Sequence, residues 1–295
     1  MEHLTNPFDI PGRWCKANLH SHTTVSDGKA TPAERVDQYR RAGYDVLALT
    51  DHRVTNDVTG LSDRSMLVIS GQEYHPACPD VPIPYHLVAL HVPHGLRFTK
   101  TESAHANRCI AKVRRAGGVT ILAHPFWCGQ GYEDFKHLKG ISAIEVYNTT
   151  CNWAGRPCSE NEWARALDHG RTLPAVAVDD AHSRDGGDLF GGWTWLKMPS
   201  LTVEHVLQAV RTGACYASTG PKIHDFGVRK GKVVLRCSSA GAIHFISGPA
   251  KGARRQAEAG KTIRSFRIDK PNWPYIRGLA IDPAGRRAWT NPIEL

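Results

Sequence analysis

The segment KANLHSHTTVSDG, residues 16–28, combines a short β-type run with a polar loop. His20 and His22 stand two residues apart on extended chain, so both imidazoles point to the same side. Asp27 follows in the loop, where its carboxylate can turn back to the same centre. One H-x-H pair alone is equally well explained by polar packing on a strand. The rest of the chain therefore decides what this pair means.

Short β-rich runs alternate with helical patterns and loops through the first two-thirds of the chain. They are KANLHSH (16–22), DVLALTDH (45–52), LVISGQEYH (67–75), HLVALHV (86–92), VTILAHP (119–125), AIEVYN (143–148) and PAVAVDDAH (174–182). This alternation indicates an α/β protein with a mainly parallel sheet and crossover connections. No Gly-x-Gly-x-x-Gly or Walker-type loop follows any run, so nucleotide-binding folds lose support. We predict a distorted (β/α)7 TIM-like barrel rather than an open doubly wound sheet.

Two helices have clear sequence signals. Thr31 and Glu34 form a capping box around Pro32, which predicts a helix ending at Gly43. A second predicted helix ends at Gly213 and should pack on the outside of the barrel. Its apolar stripe consists of Val203, Val206, Leu207 and Val210. Between residues 52 and 86 the connections are short or Pro-rich, so we expect an irregular barrel without helices on that side.

The pattern changes after Gly213 to short strands without helices. Ser218, Thr219, Gly220 and Pro221 fall together there, which is typical of a boundary. We predict a barrel over residues 1–216 and a small C-terminal antiparallel β-sandwich over residues 217–295.

Composition limits the compartment and the partners. No apolar run approaches the roughly 20 residues that span a bilayer, and the start of the chain lacks the pattern of a secretory signal. The eight cysteines include no C-x-x-C pair, so we expect free thiols and a cytoplasmic location. The net charge of +9 favours encounter with anions. No stripe of interleaved basic and aromatic residues is present, so we expect a small anionic or ester substrate rather than nucleic acid, and no membrane.

Other potential ligands fall at the ends of the predicted strands. They are His52, Glu73, His124, Asp180 and His182, together with His86, which opens its run. The loops that follow the strands form the active-site face of (β/α) barrels. With His20, His22 and Asp27, nine donors are predicted to face one mouth.

Nine donors exceed the needs of one metal ion, which takes about four to six ligands. We therefore predict two or three divalent metals, with Glu73 as a bridge. Buried histidines and carboxylates without cations would cost several kcal/mol of desolvation, on the order of the penalty for unpaired buried charge. Mixed nitrogen and oxygen donors suit Zn, Mn or Fe better than Mg or Ca.

The motifs together resemble the polymerase and histidinol phosphatase (PHP) superfamily. They are His20-Ser-His22 with Ser26-Asp27-Gly28, Leu49-Thr50-Asp51-His52, Gly71-x-Glu73, Ala123-His124-Pro125 and Asp180-x-His182. The resemblance covers residues 14 to about 183 and implies a distorted seven-stranded barrel, two or three metals and, most commonly, phosphoester hydrolysis. All nine donors fall on metal-ligand places of the family. The stretch around His86 also carries His75, His91 and His94.

The tail adds a second resemblance. The stretches Gly213–Pro221 and Trp289–Pro292 are similar to the carbaryl-hydrolase-like branch of PHP proteins. That branch includes ester and carbamate hydrolases, so a carboxylic ester, carbamate or amide stays open as the substrate.

Several further residues are candidates for supporting roles. Asp51 is expected to orient a metal ligand without binding the metal itself. Arg184 is expected to bind an anionic substrate group through its planar guanidinium. Four tryptophans, in predicted loops near the mouth, are candidates for an aromatic pocket: Trp127, Trp153, Trp193 and Trp195.

Three hypotheses follow. The first is a phosphoesterase that uses a metal-activated water on a small phosphomonoester or phosphodiester. The second is a hydrolase of carboxylic esters, carbamates or amides. The third is a non-catalytic metal-binding module. No Gly-x-Ser-x-Gly elbow or catalytic cysteine motif is present, so the nucleophile is predicted to be water.

Overall fold

A computed structural model describes residues 3–295. The first strands are β1 (Arg13–Asn18), β2 (Val46–Leu49), β3 (Leu67–Tyr74), β4 (Leu87–Leu90), β5 (Val119–Leu122), β6 (Ala143–Asn148), β7 (Ala175–Val178), β8 (Trp193–Met198) and β9 (Cys215–Ser218). The later strands are β10 (Ile223–Arg229), β11 (Lys232–Ala240), β12 (Ala242–Ile246), β13 (Gly252–Gln256), β14 (Ile263–Asp269), β15 (Tyr275–Ile281), β16 (Arg287–Thr290) and β17 (Ile293–Glu294). The helices are α1 (Pro32–Arg41), α2 (Lys100–Ser103), α3 (Ala106–Arg115), α4 (Pro125–Cys128), α5 (Tyr132–Phe135), α6 (Glu160–Asp168) and α7 (Val203–Thr212), with one 3-10 helix at Thr150–Ala154.

The strands β1 to β7 lie side by side in chain order. The chain beyond β7 then meets the chain beyond β1, through a parallel bridge between Ser21 and Ala181. His22 N donates to Ala181 O there at 2.9 Å, and Asp180 N donates to His20 O at 3.0 Å. The seven strands therefore form a ring whose first and last members join at one end.

The direction of β4 breaks the parallel pattern. β1, β2 and β3 are parallel to one another, as are β5, β6 and β7, but β4 is antiparallel to both β3 and β5. Within the described chain no helix lies between β2 and β4, as the short and Pro-rich connections there predict. Helices follow only β1, β4, β5 and β6 within the ring, so the regular (β/α)7 alternation of the prediction holds only in part.

Both predicted helices are present. The Thr31 hydroxyl accepts from Glu34 N, and the Glu34 carboxylate accepts from Thr31 N, at the start of α1. Gly43, with φ of +73°, follows its end. α7 buries Val206, Leu207 and Val210 against the strands and ends before Gly213, also at φ +73°. A left-handed residue just past the last turn is the usual way in which glycine ends a helix.

The C-terminal strands form two antiparallel layers. β9 pairs with β8 on one side and β16 on the other, so the ring sheet continues into β16, β15, β12 and β13. A separate sheet of β10, β11 and β14 packs against it, and the Phe245 and Phe266 rings stack at 4.9 Å between the layers. The two layers agree with the predicted sandwich. The predicted division between residues 216 and 217 falls within β9, and a division of the chain into domains stays a prediction.

Two further features concern the whole chain. Among residues 3–295 no helix is both long enough and apolar enough to cross a membrane. All eight cysteines are free thiols, and all but Cys158 are buried.

Trp163 provides a test of the core. Its side chain is fully buried on α6, and its indole N–H donates to Leu173 O at 2.8 Å. We expect Trp163→Ala to lower the free energy of unfolding by about 3–5 kcal/mol, because it removes a large buried ring and leaves a cavity. The matched control is Trp153→Ala at a 76% exposed position, with an expected change within about 0.5 kcal/mol. Equal urea midpoints for the two variants would contradict the buried position of Trp163.

Candidate metal centre

The nine predicted donors meet at the joined end of the ring. β4 runs against its neighbours, so its first residues lie at the same end as the last residues of β3 and β5. This places His86, which precedes its strand, beside His124, which follows its own: their ring centroids are 4.9 Å apart. The reversed strand thus explains why a histidine at the start of a strand reaches the same mouth as the others.

Asp180 and the two histidines of the H-x-H motif form the deepest group. His22 Nε2 lies 2.9 Å and His20 Nε2 3.1 Å from Asp180 Oδ1. The two Nε2 atoms are 3.1 Å apart. Both imidazoles are fully buried. Three ligand atoms thus converge on one point from β1 and β7, where the ring closes.

Glu73 lies at the centre of the cluster. Its Oε1 is 2.7 Å from His86 Nδ1 and 3.5 Å from His124 Nε2. Its Oε2 is 2.7 Å from His52 Nδ1, 3.5 Å from His22 Nε2 and 3.6 Å from His20 Nε2. The carboxylate is 1% exposed. Its two oxygens therefore face two different sets of imidazoles, which is the arrangement that a bridging ligand requires.

A third group lies nearer to solvent, around Asp27. Its carboxylate oxygens lie 3.5 Å from His52 Nε2, 3.6 Å from His182 Nε2 and 3.8 Å from His22 Nδ1. The ligand atoms of these four residues all lie within 4.8 Å of one another. The structure thus brings together all nine residues of the predicted set.

Unpartnered atoms within the cluster fit a metal. Asp180 Oδ1, His22 Nδ1 and His52 Nδ1 are buried and have no hydrogen-bond partner among residues 3–295, although charged neighbours stand within 4 Å of each. Burial favours the neutral acid, yet the imidazoles of His20 and His22 hold the pKa of Asp180 well below its ordinary value. Buried nitrogen and carboxylate donors that approach without hydrogen-bond geometry suit divalent transition metals.

Backbone strain marks the same place. His124 and Asp180 have positive φ angles of 28° and 56°, and Arg53, directly after His52, has a φ of 59°. Non-glycine residues in this region cost on the order of 1–3 kcal/mol each and concentrate at functional sites.

Glu145 supports the site, and the sequence reasoning missed it. Its Oε1 lies 2.7 Å from His20 Nδ1, and its Oε2 accepts from His124 N and from Asn148 Nδ2, both at 3.0 Å. A carboxylate on the outer nitrogen of a ligand histidine fixes its tautomer and its orientation. The available signal was one acidic residue inside the otherwise apolar buried strand AIEVYN.

Asp51 holds a loop rather than an imidazole. It accepts from Thr23 N and Oγ1 at 2.8 Å each, from Ser26 N at 3.0 Å, and from Ser26 Oγ and Asn56 Nδ2 at 2.5 Å each. These bonds fix residues 23–26, directly before Asp27. The orienting role of Asp51 stays a prediction, and these bonds would transmit it through the backbone that carries Asp27.

Asp51→Asn tests this role. In either orientation the N–H₂ group of an asparagine would face at least one N–H donor, from Thr23 and Ser26 or from Asn56, so we expect a stability loss of about 1–3 kcal/mol. Because the Asp27 loop loosens, metal affinity or activity should fall about 10–100-fold. The control is Asp57→Asn, an exposed carboxylate that accepts from Thr59 N. Wild-type metal affinity in Asp51→Asn would contradict the role, and calorimetric titration with Zn²⁺ measures it.

A cleft of about 770 Å³ opens over the cluster. Six of the predicted ligands line it together with Asp27, and Trp127, Trp153 and Lys29 form part of its walls. The cleft-lining ligands other than Asp27 are His52, Glu73, His86, His124, Asp180 and His182, of which Glu73 is the deepest. The opening therefore gives a substrate direct access to the donors.

The structure corrects the predicted placement of two tryptophans and shows where Arg184 lies. Trp193 and Trp195 are not in loops but on β8, and neither lines the cleft, whereas Trp127 and Trp153 do. Arg184 is not part of the lining either: its guanidinium lies 3.2 Å from the Glu34 carboxylate and 3.3 Å from Lys29 O. Arg184 instead ties α1 to the loop after β7. Lys29 lines the cleft, and the substrate-binding role of Arg184 stays a prediction.

Comparison with known structures supports the fold. A two-domain protein from Bacteroides vulgatus that contains a predicted PHP-like metal-dependent phosphoesterase matches with a TM-score of 0.57 and 16% identity, over 99% of this chain and 98% of that one. The chain therefore shares its fold with that protein over nearly the whole length of both. The shared fold agrees with the barrel that the resemblance to the PHP superfamily implies. The carbaryl-hydrolase-like branch stays a prediction.

Other similarities are weaker, and no conclusion rests on them. An amidohydrolase from Chromobacterium violaceum matches with a TM-score of 0.45 and 18% identity, over 66% of this chain and 96% of that one. A lesion-specific endonuclease from Pyrococcus furiosus matches with a TM-score of 0.47 and 13% identity, over 68% and 56%. The expectation of a small substrate rather than nucleic acid stays a prediction. No family model matches the sequence, and a search of curated proteins finds no match.

Proposed function

We propose that this protein is a metal-dependent hydrolase that acts on a small phosphomonoester or phosphodiester. The observation that carries the proposal is the convergence of nine nitrogen and carboxylate donors from seven places in the chain on one open cleft. Fully buried imidazoles face fully buried carboxylates there, without hydrogen-bond geometry at several of the contacts. The shared fold with a PHP-like protein supports the same reading.

The donors fall into three groups that would hold two or three Zn, Mn or Fe ions. The first consists of His20, His22, Glu73 and Asp180. The second consists of Glu73, His86 and His124. The third consists of Asp27, His52 and His182. Glu73 belongs to two groups, so its carboxylate would link them. Bound metals of this kind lower the pKa of water and polarise the ester oxygen under attack.

The chain's own residues prepare the site for this chemistry. Buried carboxylates at Glu73 and Asp180 favour cations, because an unpaired negative charge is costly away from water. Glu145 holds His20 through Nδ1, which keeps its Nε2 directed at Asp180. Lys29 at the rim favours approach of an anionic ester. Trp127 packs edge-on against both His86 and His124 and restricts water on that side.

A carboxylic ester, carbamate or amide is the second candidate. Among the described residues that line the cleft, Lys29 is the one lysine or arginine, whereas phosphate sites are often built with several cationic groups. Trp153 is 76% exposed at the rim and offers apolar contact to a substrate. These two observations favour an uncharged ester with an apolar group over a highly charged phosphate.

One experiment separates the candidates. Metal analysis of the purified protein is coupled to a panel of phosphomonoesters, phosphodiesters, aryl esters and carbamates, assayed after addition of Mn, Fe or Zn. We expect at least two metals per chain and hydrolysis of phosphoesters. Hydrolysis of only the aryl esters or carbamates would favour the second candidate. Trace metal and no hydrolysis of any substrate would overturn the proposal and leave a non-catalytic module.

A further inference from the structure

His75 is a buried histidine beside the cluster that none of the predicted ligand positions includes. It follows Glu73 by two residues, just beyond the end of β3, and its side chain is 6% exposed. Its Nε2 lies 3.6 Å from Glu73 Oε2. Its ring centroid is 4.3 Å from that of His86 and 4.9 Å from that of His52. By distance alone, His75 is a tenth candidate ligand.

The hydrogen bond at Nδ1, the other ring nitrogen of His75, argues against His75 as a metal ligand. Arg53 Nε donates to His75 Nδ1 at 3.2 Å. A guanidinium N–H can only donate, so Nδ1 must be the acceptor and carries no proton. The neutral imidazole then has its proton on Nε2, the nitrogen that faces Glu73. A protonated Nε2 has no lone pair for a metal, but at 3.6 Å from Glu73 Oε2 its N–H attracts the carboxylate electrostatically without a hydrogen bond.

The backbone of Arg53 is held in place by a hydrogen bond to Glu73. Its backbone N–H donates to Glu73 O at 2.7 Å, beside the bridge between His52 and Glu73. Its φ of 59° is unusual for a residue with a side chain. Backbone of this kind persists only where the surroundings fix it, and here it directs the side chain toward His75.

We propose that Arg53 and His75 form a positioning pair for Glu73. Arg53 fixes the tautomer of His75, and the Nε2–H of His75 favours the carboxylate orientation in which Oε2 faces His52 while Oε1 faces His86. The pair acts on a ligand and contacts neither substrate nor metal. This inference rests on the proposed function only in that Glu73 holds metal.

The tautomer is tested directly on the wild-type protein. Long-range ¹H–¹⁵N correlation spectra of the ¹⁵N-labelled chain report which nitrogen of His75 is protonated, and His75→Gln assigns the signal. We expect the Nε2–H form both before and after addition of Zn²⁺. In Arg53→Ala the signals should move toward a mixture of tautomers. An Nδ1–H form, or loss of the Nε2 proton on addition of Zn²⁺, would overturn the inference and make His75 a ligand.

Zn²⁺ affinity provides the second measurement, by calorimetric titration. We expect His75→Ala to weaken Zn²⁺ binding about 10–100-fold, the range found when partners of metal ligands are removed. His75→Gln retains an N–H donor and should recover most of the affinity. Arg53→Ala should fall between wild type and His75→Ala. The control is His94→Ala, an exposed histidine outside the cluster, with wild-type affinity expected.

The outcomes separate this inference from the proposed function. If His75→Ala binds Zn²⁺ as tightly as wild type while wild type hydrolyses esters, the positioning pair is wrong and the hydrolase stands. If wild type binds Zn²⁺ and loses affinity in His75→Ala but hydrolyses nothing in the panel, the pair stands and the hydrolase is wrong. A wild-type protein that binds no Zn²⁺ overturns both.

Discussion

Hydrolysis by the Glu73→Gln variant is expected to fall by more than about 100-fold, because removal of even an outer partner of a metal ligand costs 10–100-fold. Both Glu73 oxygens face imidazole nitrogens, at 2.7 Å from His86 and from His52. Glutamine has nearly the same shape but one oxygen and no charge. Its one oxygen can contribute a ligand atom to only one of the two donor groups that share Glu73. The substitution also removes the negative charge that favours cations in both groups.

Metal content and kinetics measured on the same preparation check this expectation. The variant should retain fewer metals per chain than wild type, with kcat reduced more than KM. Glu133→Gln is the matched control, because Glu133 is exposed and pairs with Lys136 on the surface of α5. Full metal content with activity within about threefold of wild type, less than the smallest loss expected for an outer partner, would exclude Glu73 as the shared ligand.

The donor set was predictable because it depends on strand ends. Histidines and carboxylates directly after short apolar runs are readable from sequence, and the rule that barrels place their sites at one end brings them together. His86 is instructive, since it precedes its run. In an all-parallel ring it would lie at the opposite end, and only the reversal of β4 returns it to the cluster. The direction of β4 depends on how it pairs with β3 and β5. The sequence around His86 does not determine that pairing.

The residues that surround the donors were harder to predict. Glu145 lies inside an apolar run, and its role arises only because β6 stands between β5 and β7. Arg184 follows a ligand in sequence, yet its long side chain reaches back to Glu34. Trp193 and Trp195 alternate with buried residues on β8, an alternation that the sequence analysis did not recognise as a strand. In each case the contact is made by a segment distant along the chain, so local pattern does not determine it.

The C-terminal part shows the same limit on a larger scale. The change from helices to short strands after Gly213 was visible in the sequence, and two antiparallel layers are present. That β9 joins β8 to β16 was not visible, because it depends on hydrogen bonds between residues about 70 positions apart, such as Ala217 and Trp289. The sequence therefore supplied the kind of structure but not its continuity with the ring.

The adjacent aspartates of VDDAH are expected to respond in opposite ways to the same substitution. Asp180 faces the imidazoles of His20 and His22, whereas Asp179 faces the scaffold, and the left-handed backbone of Asp180, with a φ of 56°, accompanies this divergence. Asp179 accepts five hydrogen bonds at 2.7–2.9 Å, from Tyr39 Oη, Thr149 Oγ1, Phe190 N, Gly191 N and Gly192 N. An asparagine at 179 must turn its N–H₂ group toward some of these donors.

We therefore expect Asp180→Asn to reduce hydrolysis by more than about 100-fold with little change in the unfolding of the metal-free protein. Asp179→Asn should lower the free energy of unfolding by about 3 kcal/mol, since hydrogen bonds to a charged acceptor contribute about 1.5–3 kcal/mol each. Urea unfolding in the presence of a chelator and steady-state kinetics with added metal measure the two effects separately. If Asp180→Asn proves the more destabilising substitution and Asp179→Asn the more inactivating one, the orientation of the pair is reversed. The unpartnered Asp180 Oδ1 would then need another explanation than a metal.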